Sequence, residues 1–132
     1  MRDRYAQEVT AYRQRSSRAN TVLVVAIDAD TNDVSLRVRQ LRDALSQKGL
    51  SPRAVGEAIA HLIPKRNIET WIVCLNGRKV DESADYRHEP GMDQQVDDAA
   101  GVFHAWTRPN ATVPQHCVPS LLSAIPEAKR LE

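Results

Sequence analysis

Two aspartates, Asp28 and Asp30, stand one residue apart at the end of the apolar run formed by residues 22–27. Carboxylate oxygens are the ligands that hard divalent cations prefer, and such cations keep enough water that few protein ligands suffice. A strand that ends in two carboxylates at a strand-to-helix turn can present both to one ion. We therefore expect a divalent-metal site here. In the alternative reading, one aspartate caps the next helix and the other is solvated.

The elements around this pair are predicted by hydrophobic periodicity. The run at 21–27, rich in β-branched residues, predicts a strand buried on both faces. Apolar residues of 34–45 recur at helical spacing, Asn32 or Asp33 can cap that helix, and Gly49 suits its C-terminus. A second strand is predicted at about 58–63. Together these elements form a strand–helix–strand unit whose two strands are parallel.

A third carboxylate belongs to the same edge of the predicted sheet. Residues 67–77 read as a helix, with Asn67 as its cap and Gly77 as its end, although Thr70 to Leu75 alone could form a strand. Glu69 then lies in the first helical turn, just beyond the second strand. The carboxyl ends of parallel strands share one edge, where open α/β folds place their ligands. We expect Asp28, Asp30 and Glu69 to converge there.

The remaining chain adds helices and loops but no convincing strand. We predict a helix at 3–17, a loop at 78–93 and a helix at about 94–106 with Val96, Ala100 and Phe103 inward. A closing helix from Ser120 is interrupted or restarted at Pro126. Two parallel strands do not make an independent sheet. Either residues 111–118 add an edge strand, or a partner protein, a second copy or a preceding segment completes the sheet.

Composition bounds the class of protein. The chain has 132 residues, 42% of them hydrophobic and 27% charged, which suits one globular domain spanning 1–132. Its formal net charge of +1 gives no global electrostatic argument for nucleic acid, although arginines flank the first strand on both sides. Cys74 and Cys117 lack metal spacing, and Cys74 reads as a buried thiol, so we expect a cytoplasmic protein. No apolar run approaches a membrane span.

The assembled motifs resemble the Toprim-like families of prokaryotic defence and DNA-maintenance proteins, especially the RloB-like branch near the OLD-type nucleases. The resemblance covers about residues 3–130. It is carried by the apolar strand into Asp28-Ala29-Asp30, the following helix, and the segment Ile63-Pro64-Lys65-Arg66-Asn67-Ile68-Glu69-Thr70-Trp71. Further similar pieces are Val80-Asp81-Glu82, Asp85-Tyr86 and Pro119-Ser120-Leu121-Leu122.

The resemblance implies a three-layer, Rossmann-like α/β fold with a small parallel sheet flanked by helices. It also implies Mg²⁺, or Mn²⁺, bound by Asp28 and Asp30, and phosphodiester chemistry on DNA or RNA in a system such as phage defence. Glu69 is the third candidate ligand and catalytic residue, and Lys65, Arg66 and Arg37 are candidate phosphate contacts. The family pattern has another Glu after an earlier strand. This chain lacks both, so the domain is expected to be incomplete at its N-terminus.

Other readings compete with a nuclease. The main alternative is a catalytically inactive module that docks on a partner such as an ATPase through its exposed sheet edge. A haloacid-dehalogenase-type phosphatase needs Thr or Val four residues after its first Asp, where this chain has Asn32. A phospho-receiver domain needs an acceptor Asp on a central strand, and none is seen. His61 reads as a core histidine, whereas His88 and Glu89 could approach the metal from their loop.

Overall fold

The computed structural model describes residues 2–30 and 33–132. Five helices and two strands follow one another in these residues: α1 Arg2–Ser16, β1 Leu23–Ala26, α2 Val34–Gln47, β2 Ile59–Leu62, α3 Ile68–Leu75, α4 Met92–Trp106 and α5 Pro119–Lys129. The mixed α/β class and the parallel pairing of β1 with β2 are confirmed, with Val25 opposite His61. No helix in the described ranges is both long and apolar enough to cross a membrane.

The sheet lies between two apolar clusters. On one face, odd-numbered residues of both strands pack against α1 and α2, with Tyr5, Val9, Leu41 and Leu45 at the centre. On the other face, Leu62 borders a cluster formed by α3, α4 and α5. Helices therefore flank the small sheet on both sides, as the sequence predicted, because alternate side chains of β2 point to opposite faces.

The helix ends follow the predicted turn chemistry in part. Gly49 and Gly77 both adopt positive φ, at 70° and 94°, directly after α2 and α3, where a residue without a Cβ is least strained. Asp33 occupies the N-cap position of α2 but makes no side-chain capping bond. The other predicted cap, Asn32, lies outside the described residues.

Burial of β1 on both faces is a wrong prediction. Only Val25 is buried within the strand, whereas Val22 and Val24 are 54% and 47% exposed. The described helices on that face pack against β2, so the even-numbered side chains of β1 face solvent. A continuous apolar run does not distinguish a strand covered on both faces from one covered on a single face.

Three further predictions need correction. Residues 111–118, one of the two alternatives for completing the sheet, form irregular structure with a turn at 115–116 and no edge strand, and Cys117 and Val118 pack into the core. Helix α5 runs uninterrupted through Pro126, and Pro119 takes its first position. In α4, Phe103 packs against the core as predicted, but Val96 is 43% exposed, Ala100 is exposed, and the buried residue is Ala99. The apolar residues of α4 are few, so the sequence pattern assigned Ala100 to the inward face in place of its neighbour Ala99.

Candidate functional site

The two aspartates of the motif lie in the turn after β1. Backbone pairing continues past the strand, from Ala29 N–H to the Pro64 carbonyl at 2.8 Å, so the turn is fixed against the end of β2. Asp30 has a left-handed backbone, with φ of 53°. Arg37 of α2 holds this turn: its guanidinium donates to the Asp30 carboxylate at 2.7 Å and to the Asp28 carbonyl at 3.0 Å.

The three predicted carboxylates influence one another. The pKa of Asp28 is raised above its usual value, first by partial removal of its carboxyl from water and then by the negative charges of Asp30 and Glu69. Arg37 and Arg87 oppose this rise but do not cancel it. The edge therefore carries a net negative potential at Asp28. Glu69 reaches it from the first turn of α3, as the strand–helix reading predicted.

Arg87 is a residue of this edge that sequence analysis missed. It lies in the loop after α3 and holds Asp85 through two bonds of 3.0 Å and one of 2.7 Å. This pairing raises the pKa of Arg87 and lowers that of Asp85, and Arg87 also feels the charges of Glu69 and Asp28. An arginine in a polar loop offers no periodicity that could have placed it there.

The predicted phosphate contacts already have protein partners or lie elsewhere. Arg37 holds the aspartate turn, and Arg66 donates to the Ser83 carbonyl at 3.0 Å. Arg66 also lies 3.7 Å from Asp85, which ties the long loop to the start of α3. Lys65 lines a small cavity between α2 and α5 that also contains Glu82. Arg37 does lie at the acidic edge, where its hydrogen bonds stabilise the turn that carries Asp28 and Asp30.

Acidic residues of the loop between α3 and α4 also make structural contacts. Glu82 accepts hydrogen bonds from the backbone N–H and the hydroxyl of Ser120, at 2.9 and 2.8 Å, and so caps α5. Glu89 pairs with Arg78 at 2.8 Å, and His88 is exposed. Glu89 is therefore engaged on the loop itself, a structural role that the sequence did not indicate.

The carboxylates of the acidic edge have the right atoms for Mg²⁺ but not a complete arrangement. The described residues contain no group of three His, Cys, Asp or Glu side chains placed to hold a metal ion. The carboxylate of Asp30, moreover, is already paired with the guanidinium of Arg37. The chain thus presents neighbouring oxygen ligands without a finished metal site, and the expected Mg²⁺ or Mn²⁺ does not fit the described residues alone.

The outer edge of β2 is closed by an ion pair that sequence analysis did not find. The Glu127 carboxylate accepts the His61 backbone N–H at 2.7 Å, and Arg53 donates to the Ile59 carbonyl at 2.9 Å. The two side chains also bond each other, at 2.5 and 3.2 Å. Together they satisfy one donor and one acceptor at the centre of this edge that a further strand would otherwise use.

The outer edge of β1 has no such cover. Backbone N–H groups of Leu23 and Ile27 point to β2, so alternation turns those of Val24 and Ala26 outward. Within the described part of the chain, no side chain or other element bonds the backbone of Val24 or Ala26. Beside them lies a groove of about 310 Å³ between α1 and β1, with Arg4 and Glu8 on its helical side. Arg37 closes the edge only further along, at the Asp28 carbonyl.

Comparison with protein-family models, curated proteins and solved structures finds no match to this chain.

Proposed function

We propose that this chain is an interaction module, which takes an extended segment of a partner protein along the outer edge of β1. The observation that carries the proposal is the contrast between the two outer edges of the sheet. The edge of β2 is sealed by Arg53 and Glu127, whereas the backbone of Val24 and Ala26 faces outward without cover in the described residues. Exposed edges of this kind accept added strands through main-chain hydrogen bonds.

The chemistry of the edge restricts the partner. Val22 and Val24 form an exposed apolar strip beside the outward backbone groups, which favours apolar side chains at alternate positions of the incoming strand. The strip ends at Asp28, whose pKa is raised by partial removal of its carboxyl from water and by the charges of Asp30 and Glu69. A basic residue near that end of the partner segment relieves this repulsion. The proposed partner is therefore an extended, alternating apolar segment that carries a basic residue.

A synthetic peptide of alternating valine and threonine that ends in lysine tests the proposal. We expect it to bind and to slow hydrogen exchange at the amides of Val24 and Ala26. In an extended peptide, successive N–H groups point to opposite sides. N-methylation of one alternating set should therefore abolish binding, and methylation of the other set should not. Equal effects of the two sets would show that the peptide does not add as a strand.

Two substitutions of exposed valines provide the matched control. Val24→Lys places a charge on the edge, where lysine discourages strand addition, and should remove peptide binding. Val55→Lys makes the same change at a residue that is 92% exposed in the segment before β2, and should bind the peptide normally. If the parent chain instead self-associates through the same amides, the occupant is a second copy and the proposal of a partner protein is wrong.

Metal-dependent phosphodiester chemistry on DNA or RNA is the second candidate, in the cytoplasm and with Mg²⁺ or Mn²⁺. The charges of Asp30 and Glu69 on Asp28 favour it, because a bound cation would relieve them. The resemblance to Toprim-like nucleases points the same way. Since the described carboxylates are incomplete as a metal site, this candidate needs further ligands from outside the described residues.

Thermal unfolding with Mn²⁺ tests this second candidate. A ligand that binds only the folded state raises the unfolding temperature with its concentration. The rise should occur in the parent chain and in Asp97→Asn, which alters an exposed carboxylate of α4, and should disappear in Asp28→Asn with Glu69→Gln. No rise in the parent chain rejects the metal site. Cleavage assays on linear DNA, supercoiled DNA and RNA with the same variants then test for nuclease activity.

A further inference from the structure

A separate cleft lies between α2 and α5, on the side of the sheet where β2 has its sealed edge. Its volume is about 620 Å³, within the range of small-molecule sites. The walls are aliphatic, from Val34, Val38, Ile63 and Ala124. The site does not involve the β1 edge, so it is independent of the function proposed above.

The rim of this cleft carries two arginines of α2. Arg39 and Arg42 are both exposed and line the cleft, and neither has a hydrogen bond or ion pair within the described part of the chain. Residues three apart on a helix are neighbours on its surface, so the two guanidinium groups can approach one anion. Val38, on the same helix, remains 37% exposed beside them.

The floor of the cleft has an unsatisfied polar atom. His61 is only 6% exposed, and its Nδ1 is buried without a hydrogen-bond partner. Its other ring nitrogen lies 2.9 Å from the Tyr5 hydroxyl, and the nearby Glu127 carboxylate is 4.0 Å from Nδ1. If the Tyr5 hydroxyl donates to Nε2, the neutral ring carries its proton on Nδ1. A buried donor without an acceptor is costly, so a second acceptor at the inner end of a ligand would be stabilised at this floor.

The charges that face the cleft are mostly positive. Arg53 and Glu127 pair with each other at the inner end, which leaves Arg39 and Arg42 as an uncompensated positive rim. The hydroxyls of Ser35 and Ser123, both exposed, add hydrogen-bonding groups at the mouth. A second cavity of about 320 Å³ shares Ser35 and Ser123, but Asp33 and Glu82 line it together with Lys65, so the positive rim belongs to the larger cleft.

We propose that this cleft binds a small organic anion with an aliphatic or flat apolar body. The anionic group lies between Arg39 and Arg42, and the body packs against Val38, Ile63 and Ala124. Carboxylates and phosphate monoesters share the required chemistry. The combination of a positive rim with an apolar interior selects an amphipathic anion rather than an inorganic ion.

The probe pair for the test is 8-anilinonaphthalene-1-sulfonate and N-phenyl-1-naphthylamine. They share an apolar body, and only the first carries a sulfonate. We expect saturable binding of the anionic dye, about tenfold tighter than the neutral one, which is the factor that one hydrogen bond to a charged group supplies. Octanoate or octyl phosphate should displace the dye, and the more effective of the two identifies the head group. Displacement by octanol to the same extent would contradict an anion site.

Three variants locate the binding. Arg39→Gln with Arg42→Gln should weaken the anionic dye about tenfold and leave the neutral dye unchanged. Arg15→Gln, an exposed arginine of α1 outside the cleft, should change neither. Ser123→Trp fills the mouth from an exposed position and should abolish both. Circular dichroism and urea unfolding first establish that each variant is folded, because the anionic dye also binds loosened chains. Unchanged dye binding in the arginine double variant or in Ser123→Trp would overturn the proposal.

Discussion

The two outer edges of the sheet differ in what satisfies their backbone. At β2, two side chains make hydrogen bonds that a third strand would otherwise make: Glu127 accepts from His61 N–H, and Arg53 donates to the Ile59 carbonyl. At β1, the outward groups of Val24 and Ala26 meet nothing else in the described residues. An ion pair can close an edge without leaving a template for strand addition, and the β1 edge, which has no such pair in the described residues, is the surface that we propose for a partner.

The side chains near the two edges differ in the same way. Every residue of β2 from Ile59 to His61 is buried, because α1 and α2 cover one face and the α3–α5 cluster the other. In β1 only Val25 is buried. The sealed edge thus belongs to the better packed strand, and the predictions below separate the two strands by the size of their effects.

The largest effect should come from Glu127→Ala. This change leaves His61 N–H without its acceptor and Arg53 without its carboxylate partner, and removing one partner of a part-buried ion pair costs about 3 kcal/mol of unfolding free energy. Glu127→Gln keeps an acceptor and should cost about half as much. Urea unfolding measures both, with Glu8→Gln, at an exposed position of α1, as control. A cost for Glu127→Ala as small as for Glu8→Gln would mean that the ion pair does not seal the edge.

The pH dependence of stability should reveal His61. Burial, then the charge of Arg53, lowers the pKa of His61 from 6.5 to about 4. Below pH 6.5 the imidazole of His61 is protonated in the unfolded state, whereas in the folded state it stays neutral until about pH 4. The free energy of unfolding therefore falls as the pH drops through this window. The full shift in the pKa of His61 corresponds to a loss of about 3 kcal/mol in the free energy of unfolding. Because water still reaches part of the ring environment, we expect a loss of about 2 kcal/mol.

Urea unfolding at several pH values checks this sign and size. His61→Asn should remove the loss of stability between pH 6.5 and 4. Glu127 adds a loss at lower pH: burial opposes its charge, yet bonds from Arg53 and His61 N–H hold its pKa below the usual value. The same slope in parent and His61→Asn would place the titrating group elsewhere.

Two neighbouring valines of β1 should differ in their contribution to the core. Val25→Ala removes a buried side chain and should cost about 1.5 kcal/mol. Val24→Ala acts on an exposed side chain and should change stability by less than about 0.5 kcal/mol. Thermal and urea unfolding of the two variants measure this difference in the free energy of unfolding. A comparable cost at Val24 would show that its face is covered.

The smallest perturbation needs no substitution. Native-state hydrogen exchange should find the amides of Val24 and Ala26 nearly unprotected, because they point away from β2. The His61 amide, bonded to Glu127 at 2.7 Å, should be protected to the extent of the local unfolding energy. Protection of Val24 and Ala26 at low protein concentration, without peptide, would indicate that the β1 edge is already covered.

Much of the fold was predictable because its elements are local. The strand at β1, the helix α2, the strand β2 and the helix α3 all follow from apolar spacing and from glycines at the helix ends. The same reading placed Glu69 within electrostatic reach of Asp28. Strand ends of a parallel pair share one edge whatever lies around them, so this part of the site needed no tertiary information.

Other features of the site depend on partners that are distant in sequence. Arg53 and Glu127 are 74 positions apart, and Arg37 and Arg66 proved to hold turns and loops that no local pattern indicates. Burial of β1 was misjudged for a similar reason. An apolar run specifies that at least one face is covered, and the packing of α3, α4 and α5 decided that the second face of β1 is not.

The sequence by itself determined a strand that ends in Asp28 and Asp30, a parallel neighbour, and an acidic edge at their carboxyl ends. Hydrophobic periodicity and backbone alternation impose these features over short stretches of chain. Only the tertiary structure decided which edge of the sheet is closed. An ion pair such as Arg53–Glu127 can satisfy backbone groups only after packing of α5 against β2 has brought the two residues together.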